Sequence, residues 1–193
     1  MSYVDFTQFM FFSRSADKVP GRGVHEHLSK RDCLDDAFRK LAKVKDWRKK
    51  LSNFYISSFK LDGFTWNSVE HFYQASKFKK NNFEFYKQFT VESESLISTD
   101  ARIAKAAGGK TGRYRDRVMR PSKITMDPDF FDNDHHRNVM RRAMEAKFEQ
   151  CPECLKALLL TRDARLMHKT RGTPLQRVFT LEEIREKHRA KLL

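Results

Sequence analysis

The chain has 193 residues, the length of one ordinary domain and enough to bury a core without disulfides or metals. Hydrophobic residues make up 39% of it and include 17 phenylalanines, which excludes an intrinsically disordered chain despite the high charge. Thirty-nine Lys and Arg against 25 Asp and Glu leave a formal charge of +14, which favours anionic partners such as nucleotides or nucleic acids. A basic surface that serves solubility alone is the alternative.

The sequence also predicts the cellular compartment. No apolar run approaches the roughly 18 residues that span a bilayer, and the N-terminal residues lack the basic stretch and small-residue cleavage site of a signal peptide. The cysteines, Cys33, Cys151 and Cys154, are too few for a disulfide framework and are odd in number. We therefore expect a cytoplasmic, intracellular protein with no membrane partner.

The N-terminal quarter predicts a strand and then a helix. Residues 4–12 alternate weakly and are expected to form a short strand, which a polar loop follows. Apolar residues then recur every three or four positions, which predicts one amphipathic helix over about 29–50. Its apolar face consists of Leu34, Ala37, Phe38, Leu41 and Val44.

The rest of the chain predicts a hairpin and several helices. Asp62-Gly63 lies between apolar residues, as in a tight hairpin turn. Asn67 or Ser68 can cap a helix that runs to about residue 80. Further helical patterns cover about 83–89, 100–107, 134–150, 152–160 and 181–191. We therefore predict a mainly α fold with a small β-ribbon, formed by one domain over residues 1–193.

Three short motifs resemble known ligand sites only in part. The sequence GGKTG at 108–112 lacks the first glycine and the preceding strand of a phosphate-binding loop, so a helix cap followed by a basic loop is preferred. Cys151 and Cys154 lack the second ligand pair of a zinc site. The segment DPDFFDND at 127–134 lacks the central glycine of a calcium loop. We therefore predict no metal and no cofactor. The irregular segment 120–133, which contains the turn-forming residues Pro121, Asp127 and Pro128, is expected to form the rim of a ligand cleft.

The most informative segment is the helix after Trp66. Glu70, Gln74 and Lys77 are spaced at i, i+4 and i+7, which places a carboxylate, an amide and an amine within about 60° on one helix face. Neighbouring aromatic side chains are suited to walling off a pocket that tunes ionisation. The alternative is an exposed helix face with a weak ion pair.

The residues of this segment resemble the signature block of the NADAR family. The likeness rests on LSNFY at 51–55, LDG at 61–63 and WNSVEHFYQASKF at 66–78, and continues through Arg102-Ile103, Arg120-Pro121 and LLLTRDARLMH at 158–168. It covers about 47–185, with residues 1–46 as an N-terminal extension expected to pack on it. The ending from His168 to Arg185 departs from the common bacterial pattern and resembles a divergent C-terminal branch.

The resemblance implies a YbiA-like helical fold and hydrolysis of N-glycosidic bonds. It implies two substrate classes, ADP-ribose attached to guanine in nucleic acid or nucleotides, and riboflavin-pathway intermediates. The positive charge favours the first. Glu70 is expected to stabilise an oxocarbenium-like state and activate water, and Lys77, if partly neutral, to attack the ring-opened sugar as a Schiff-base nucleophile. The expected substrate-binding residues are Asn53, Phe54, Trp66, His71, Tyr73, Gln74, Arg113, Asp163, His168, Arg171 and Gly172.

Two functions of other classes remain open at this point. One is a non-catalytic module that binds ADP-ribose or nucleic acid, and the other is a basic protein that contacts nucleic acid nonspecifically through its surface. The expected partner is ADP-ribosylated guanine in nucleic acid or a nucleotide, and no obligate protein partner is evident.

Overall fold

The computed structural model describes residues 5–12, 19–170 and 172–192. Helices form 44% and strands 12% of the described residues, so the fold is mainly helical, as predicted. Across this part of the chain, no helix combines the length and the apolar character needed to cross a membrane.

The elements of the described residues follow one another in a mixed order of short helices and strands. In chain order they are β1 (Gln8–Phe11), α1 (Lys30–Leu34), α2 (Arg39–Ala42), α3 (Trp47–Leu51), β2 (Phe59–Leu61), β3 (Phe64–Trp66), α4 (Val69–Ser76), α5 (Phe83–Lys87), α6 (Leu96–Thr99), α7 (Ala101–Ala107), β4 (Arg113–Tyr114), β5 (Arg117–Val118), α8 (His135–Gln150), α9 (Pro152–Leu159), β6 (Arg165–His168), β7 (Gln176–Arg177) and α10 (Phe179–Ala190). Two 3₁₀ turns, Val91–Ser93 and Asp132–Asp134, precede α6 and α8.

These elements form two compact units. The terminal unit contains the described residues up to Ser52 and from Pro152 onward. Its three-stranded sheet has the order β1-β6-β7, in which β1 pairs parallel to β6 and β6 pairs antiparallel to β7. Helix α3 packs on α9, and the buried core includes Phe9, Leu41 and Trp47.

The central unit runs from Asn53 to Cys151. Helix α4 lies at its centre and packs on α7 and α8. Buried aromatic side chains of this unit, one of them on α4 itself, include Phe59, Trp66, Phe72, Phe78, Phe85, Tyr86, Phe89 and Phe148. Burying rings of this size dominates core energetics, which fixes α4 firmly in the unit.

The hairpin before α4 forms as predicted. Phe59 lies opposite Trp66 in the β2–β3 pair, and the turn residues Asp62 and Gly63 have φ of 52° and 82°. Two consecutive positive φ angles are the signature of the turn type that Asp-Gly favours. The adjacent Ser68 then caps α4 by accepting a hydrogen bond from the His71 backbone N–H.

The single helix predicted over 29–50 is wrong, because the segment forms the three short helices α1, α2 and α3. Asp36 and Asp46 adopt left-handed backbone conformations with φ of 47° and 55°, and such residues interrupt a right-handed helix. Phe38 and Leu41 are buried as predicted, whereas Leu34 is 76% exposed and does not join the core. Periodicity identified the apolar residues but not the breaks between them.

Four short strands, β4 to β7, were not predicted from the sequence, whereas β1 and the β2–β3 hairpin lie where strands were expected. The β4–β5 pair lies where a basic loop was expected, and β6 and β7 lie within and after the LLLTRDARLMH block. Strands of two to four residues show too few alternations to give a periodic signal.

Candidate active site

Glu70, Gln74 and Lys77 lie on one face of α4 and its C-cap, as their spacing predicts. All three are buried, with 6%, 5% and 8% of their surface exposed, respectively. The alternative of an exposed helix face is therefore wrong. Burying a carboxylate and an amine is costly unless each finds partners, so their surroundings determine what they can do.

Glu70 is held by an amide on its own helix. The Gln74 Nε2 atom donates to Glu70 Oε1 at 2.8 Å, and the backbone N–H of Glu70 donates to the Asn53 carbonyl at 3.0 Å. Gln74 Oε1 is buried and has no hydrogen-bond partner among the described residues. A buried acceptor without a donor is unusual in a folded protein and is suited to receiving a hydrogen bond from a ligand.

Lys77 is held by the end of a different helix. Its Nζ atom donates to the carbonyl of Gly108, the C-cap of α7, at 3.0 Å. The amine also lies 5.4 Å from the centre of the Tyr73 ring. Behind Lys77, the carboxylate of the buried Asp127 accepts from the backbone N–H groups of Lys80 and Asn81, which anchors the C-terminal end of α4.

Burial shifts both ionisable groups towards their neutral forms. Burial raises the pKa of the Glu70 carboxyl, against the hydrogen bond from Gln74 and the charges of Lys105 and Lys77. Burial also lowers the pKa of the Lys77 amine to about 8, with Arg120 and Lys105 acting in the same direction and Glu70 opposing them. A carboxyl whose pKa is raised and an amine whose pKa is lowered by burial are suited to acid–base and nucleophilic chemistry.

Two further cations contribute to this cluster. The Lys105 Nζ atom lies 5.3 Å from the centre of the half-buried Phe54 ring. Arg120 donates to the carbonyls of Ala107 and Lys110 just after α7, and its guanidinium lies 5.4 Å from the Phe78 ring. Lys105 and Lys77 therefore place positive charge near the Glu70 carboxylate, and Arg120 adds charge near Lys77, which favours an anionic ligand.

The remaining predicted residues of the central unit take other positions. Trp66 is fully buried, and its indole N–H donates to the Leu61 carbonyl, so its ring belongs to the core. His71 is also fully buried, its Nδ1 lies 2.8 Å from Ser68 Oγ, and burial lowers its pKa to about 4. Arg113 is exposed on β4 and donates to the Asp116 carbonyl. These contacts give the three residues structural partners.

Four predicted residues belong to the terminal end of the chain. Asp163 forms an ion pair of 2.6 Å with Arg189. His168 ends β6, where its ring lies 5.2 Å from that of Phe11. Gly172 has φ of 80° and open space around it, and Arg171 lies outside the described residues. The substrate contacts assigned to these residues stay predictions.

Gly108, Lys105 and Arg120 were not singled out as site residues by the sequence. A Cβ atom on Gly108 would lie 2.2 Å from Gln74 Oε1, so only glycine leaves room for the amide that holds Glu70. The sequence signal was faint: a glycine after α7, and an arginine within a family-like block.

Replacing Gly108 with alanine is expected to lower kcat roughly fivefold, because Gln74 must move away from Glu70 and one hydrogen bond is worth about 1 kcal/mol. Steady-state kinetics of Gly108→Ala measures this loss. The control is the same change made in a Gln74→Ala protein, where the clash no longer exists. An equal loss in both backgrounds would show that Gly108 acts through something other than Gln74.

A partly open cavity in this unit lies on the opposite face of α4. It has a volume of about 110 Å³ and is bounded by Phe72 and Ser76 of α4, by Phe130 and by the ion pair of Asp62 with Arg142. None of the predicted site residues that the structure describes lines it. Among the described residues, moreover, no group of three or more His, Cys, Asp or Glu side chains is arranged to hold a metal ion.

A buried carboxylate, amide and amine lie on α4 and its C-cap within a mainly helical unit, an arrangement suited to acid–base and nucleophilic chemistry. The NADAR domain model matches residues 38–175, and the chain belongs to the NADAR family. It is 30% identical over 119 residues to proteins named N-glycosidase YbiA from Escherichia coli (strain K12), Shigella flexneri and Shigella boydii serotype 4 (strain Sb227).

These alignments span 62% of this chain and 61% of each relative, so the chain matches about three fifths of the length of these curated relatives. The NMR structure of the E. coli protein YbiA is similar in fold, with a TM-score of 0.53 and 26% sequence identity. That similarity covers 77% of this chain and 83% of the YbiA chain.

Proposed function

We propose that this protein is an N-glycosidase that hydrolyses a bond between a ribose carbon and a nucleobase-type nitrogen, and that it removes ADP-ribose from guanine in nucleic acid or nucleotides. The observation that carries the proposal is the buried pair of Glu70 and Lys77 on one face of α4, each with its pKa shifted towards neutrality. The name of the YbiA relatives supports the reaction class.

In this reaction Glu70 is the acid–base residue. The bond between the anomeric carbon and nitrogen breaks with its electron pair going to nitrogen, and Glu70 passes a proton from the Lys77 amine to that nitrogen. The carbon bonds to the Lys77 nitrogen in this step and to the oxygen of water only afterwards, when the imine is hydrolysed. A carboxyl whose pKa is raised by burial suits this transfer, because it holds and releases a proton closer to neutral pH than a solvated one.

Lys77 acts as a neutral amine in the same site. Its nitrogen attacks the anomeric carbon of the ring-opened sugar, forms an imine as guanine leaves with the proton, and is regenerated when water hydrolyses the imine. A pKa of about 8 leaves roughly a tenth of the amine neutral at pH 7, compared with well under a thousandth for a solvated lysine.

The charge around the pair favours the ADP-ribosyl substrate. The charge of Lys105 acts on both Glu70 and Lys77 and that of Arg120 on Lys77, and a diphosphate is the part of ADP-ribose that such cations attract. The unpartnered Gln74 Oε1 is an acceptor for a ribose hydroxyl or a guanine N–H.

The test is incubation of the wild-type protein with an oligonucleotide that carries ADP-ribosyl-guanine, followed by mass detection of released ADP-ribose. A free ADP-ribosylated guanine nucleotide and a riboflavin-pathway N-glycoside are assayed in parallel. Release from either guanine substrate supports the proposal. Turnover of the riboflavin-pathway substrate alone changes the substrate but keeps the reaction, and binding of ADP-ribose without any turnover indicates a non-catalytic module.

A further inference from the structure

An open groove of about 450 Å³ lies in the terminal unit. Two apolar residues, Val44 and Leu160, contribute to its lining. Most of the lining residues are basic, namely Lys40, Lys43, Lys45, Lys50 and Lys156, and we call this feature the lysine groove. None of these residues belongs to the candidate active site.

The lysine groove carries more positive than negative charge. Among the described residues that line it, Glu153 is the one acidic residue, and its carboxylate pairs with Lys50 at 3.3 Å. Asp46 lies outside this lining, and the hydrogen bond from Lys49 and the charges of Lys45 and Lys50 lower its pKa. Five lysines against one glutamate leave a net charge of +4 on the lining. Neighbouring like charges repel one another and destabilise the fold. A concave surface lined mainly by positive charge attracts anions, so an anionic ligand suits the lysine groove.

Two distant parts of the chain form the groove. The packing of α3 on α9 brings Lys50 next to Glu153 and Lys156, about a hundred positions later in the sequence. Lys40, Lys43, Lys45 and Lys156 are all exposed, so their amines are open to solvent and to an incoming anion. The groove is therefore a surface that only the folded terminal unit presents.

We propose that the lysine groove binds the phosphate backbone of nucleic acid without reading its sequence. Lysine ammonium groups act as point charges that suit phosphates, and repeated phosphates match several lysines at once. No aromatic ring is among the described residues that line the groove, so it lacks the stacking platform with which proteins select unpaired bases. We therefore expect binding of duplex DNA with a strong dependence on salt.

The test uses the full chain and an unmodified, fluorescein-labelled DNA duplex of about 20 base pairs, with dissociation constants measured by anisotropy over roughly 50–300 mM NaCl. The variant Lys40→Gln/Lys43→Gln/Lys156→Gln is compared with Lys60→Gln/Lys123→Gln/Lys169→Gln, which removes three exposed lysines outside the groove. The logarithm of the association constant falls linearly with the logarithm of the salt concentration. We expect this slope to become shallower by about 2.7 in the groove variant, at about 0.9 per lost contact, and by less than about one in the control.

Equal losses in the two variants would overturn the proposal, because they would indicate general surface charge. Failure of the wild type to bind the duplex while it binds phosphatidylserine vesicles would also overturn it, in favour of a lipid surface. If the triple variant melts early, the single Lys→Gln variants replace it, each with an expected slope change of about 0.9. The duplex carries no ADP-ribose, so this result is independent of whether the protein is a glycosidase.

Discussion

Replacing Glu70 with glutamine is expected to lower kcat by about 10²–10⁴-fold, the usual contribution of a general acid–base residue, while ADP-ribose binding persists. Glutamine has nearly the same shape and still presents an oxygen to the Gln74 amide, which donates at 2.8 Å in the wild type. The variant therefore removes the proton transfer and little else. Single-turnover release of ADP-ribose and calorimetric binding measure the two quantities separately.

The stability of the same variant provides a second measurement. Because burial raises the pKa of Glu70, the folded state binds the carboxyl proton more tightly than the unfolded state does. The free energy of unfolding therefore falls as the pH rises above the pKa that Glu70 has in the unfolded chain. Glu70→Gln is therefore expected to leave the free energy of unfolding at pH 7 unchanged or higher.

Glu84→Gln, which removes a largely exposed carboxylate from the same unit, is the matched control and should keep full activity. Retention of more than about a tenth of wild-type turnover by Glu70→Gln would exclude the assigned role.

Replacing Lys77 with arginine is expected to reduce turnover as severely as replacing it with alanine, by about 10²–10⁴-fold. Arginine keeps the positive charge but stays protonated, so it cannot supply a neutral amine. Lys60→Ala, on an exposed residue of the same unit, is the control. Substantial activity in Lys77→Arg would show that Lys77 acts through its charge.

The pH dependence of the wild type tests the same role. The amine of Lys77 is protonated below its pKa of about 8, so kcat is expected to rise about tenfold per pH unit below 8 and to level off above it. Sodium borohydride added during turnover is expected to trap the sugar on Lys77 as a stable amine adduct, which peptide mass mapping locates. A flat profile between pH 6 and about 9 together with no adduct would contradict the imine route.

Much of the candidate site follows from local sequence. Asp62-Gly63 encodes its turn, Ser68 its helix cap, and the i, i+4, i+7 spacing places Glu70, Gln74 and Lys77 on one face. Each of these features depends on side chains within a few residues of one another, and such interactions are the same in any fold. The signature block likewise identified the NADAR family.

Local sequence patterns do not predict the helix breaks over 29–50 or the short strands β4 to β7. The chain over 29–50 keeps its helical periodicity, yet Asp36 and Asp46 turn left-handed as the segment wraps its apolar residues onto the core of the terminal unit. Strand β1 pairs with β6 across more than 150 positions, and neither strand signals its partner. Propensity is a weak prior that tertiary packing overrides.

By itself, then, the sequence determined the family, the mainly helical class and the order of the polar groups along α4. Only the tertiary structure decided that these groups are buried, because their burial depends on α7 and its C-cap Gly108, 31 positions beyond Lys77. The Gly108 carbonyl accepts a hydrogen bond from the Lys77 amine, and the missing side chain of Gly108 leaves space for Gln74. The shifted pKa values of Glu70 and Lys77 arise mainly from that burial. The lysine groove, too, exists only because α3 packs on α9. Both features require contacts between residues far apart in the chain, and periodicity along the sequence does not encode such contacts.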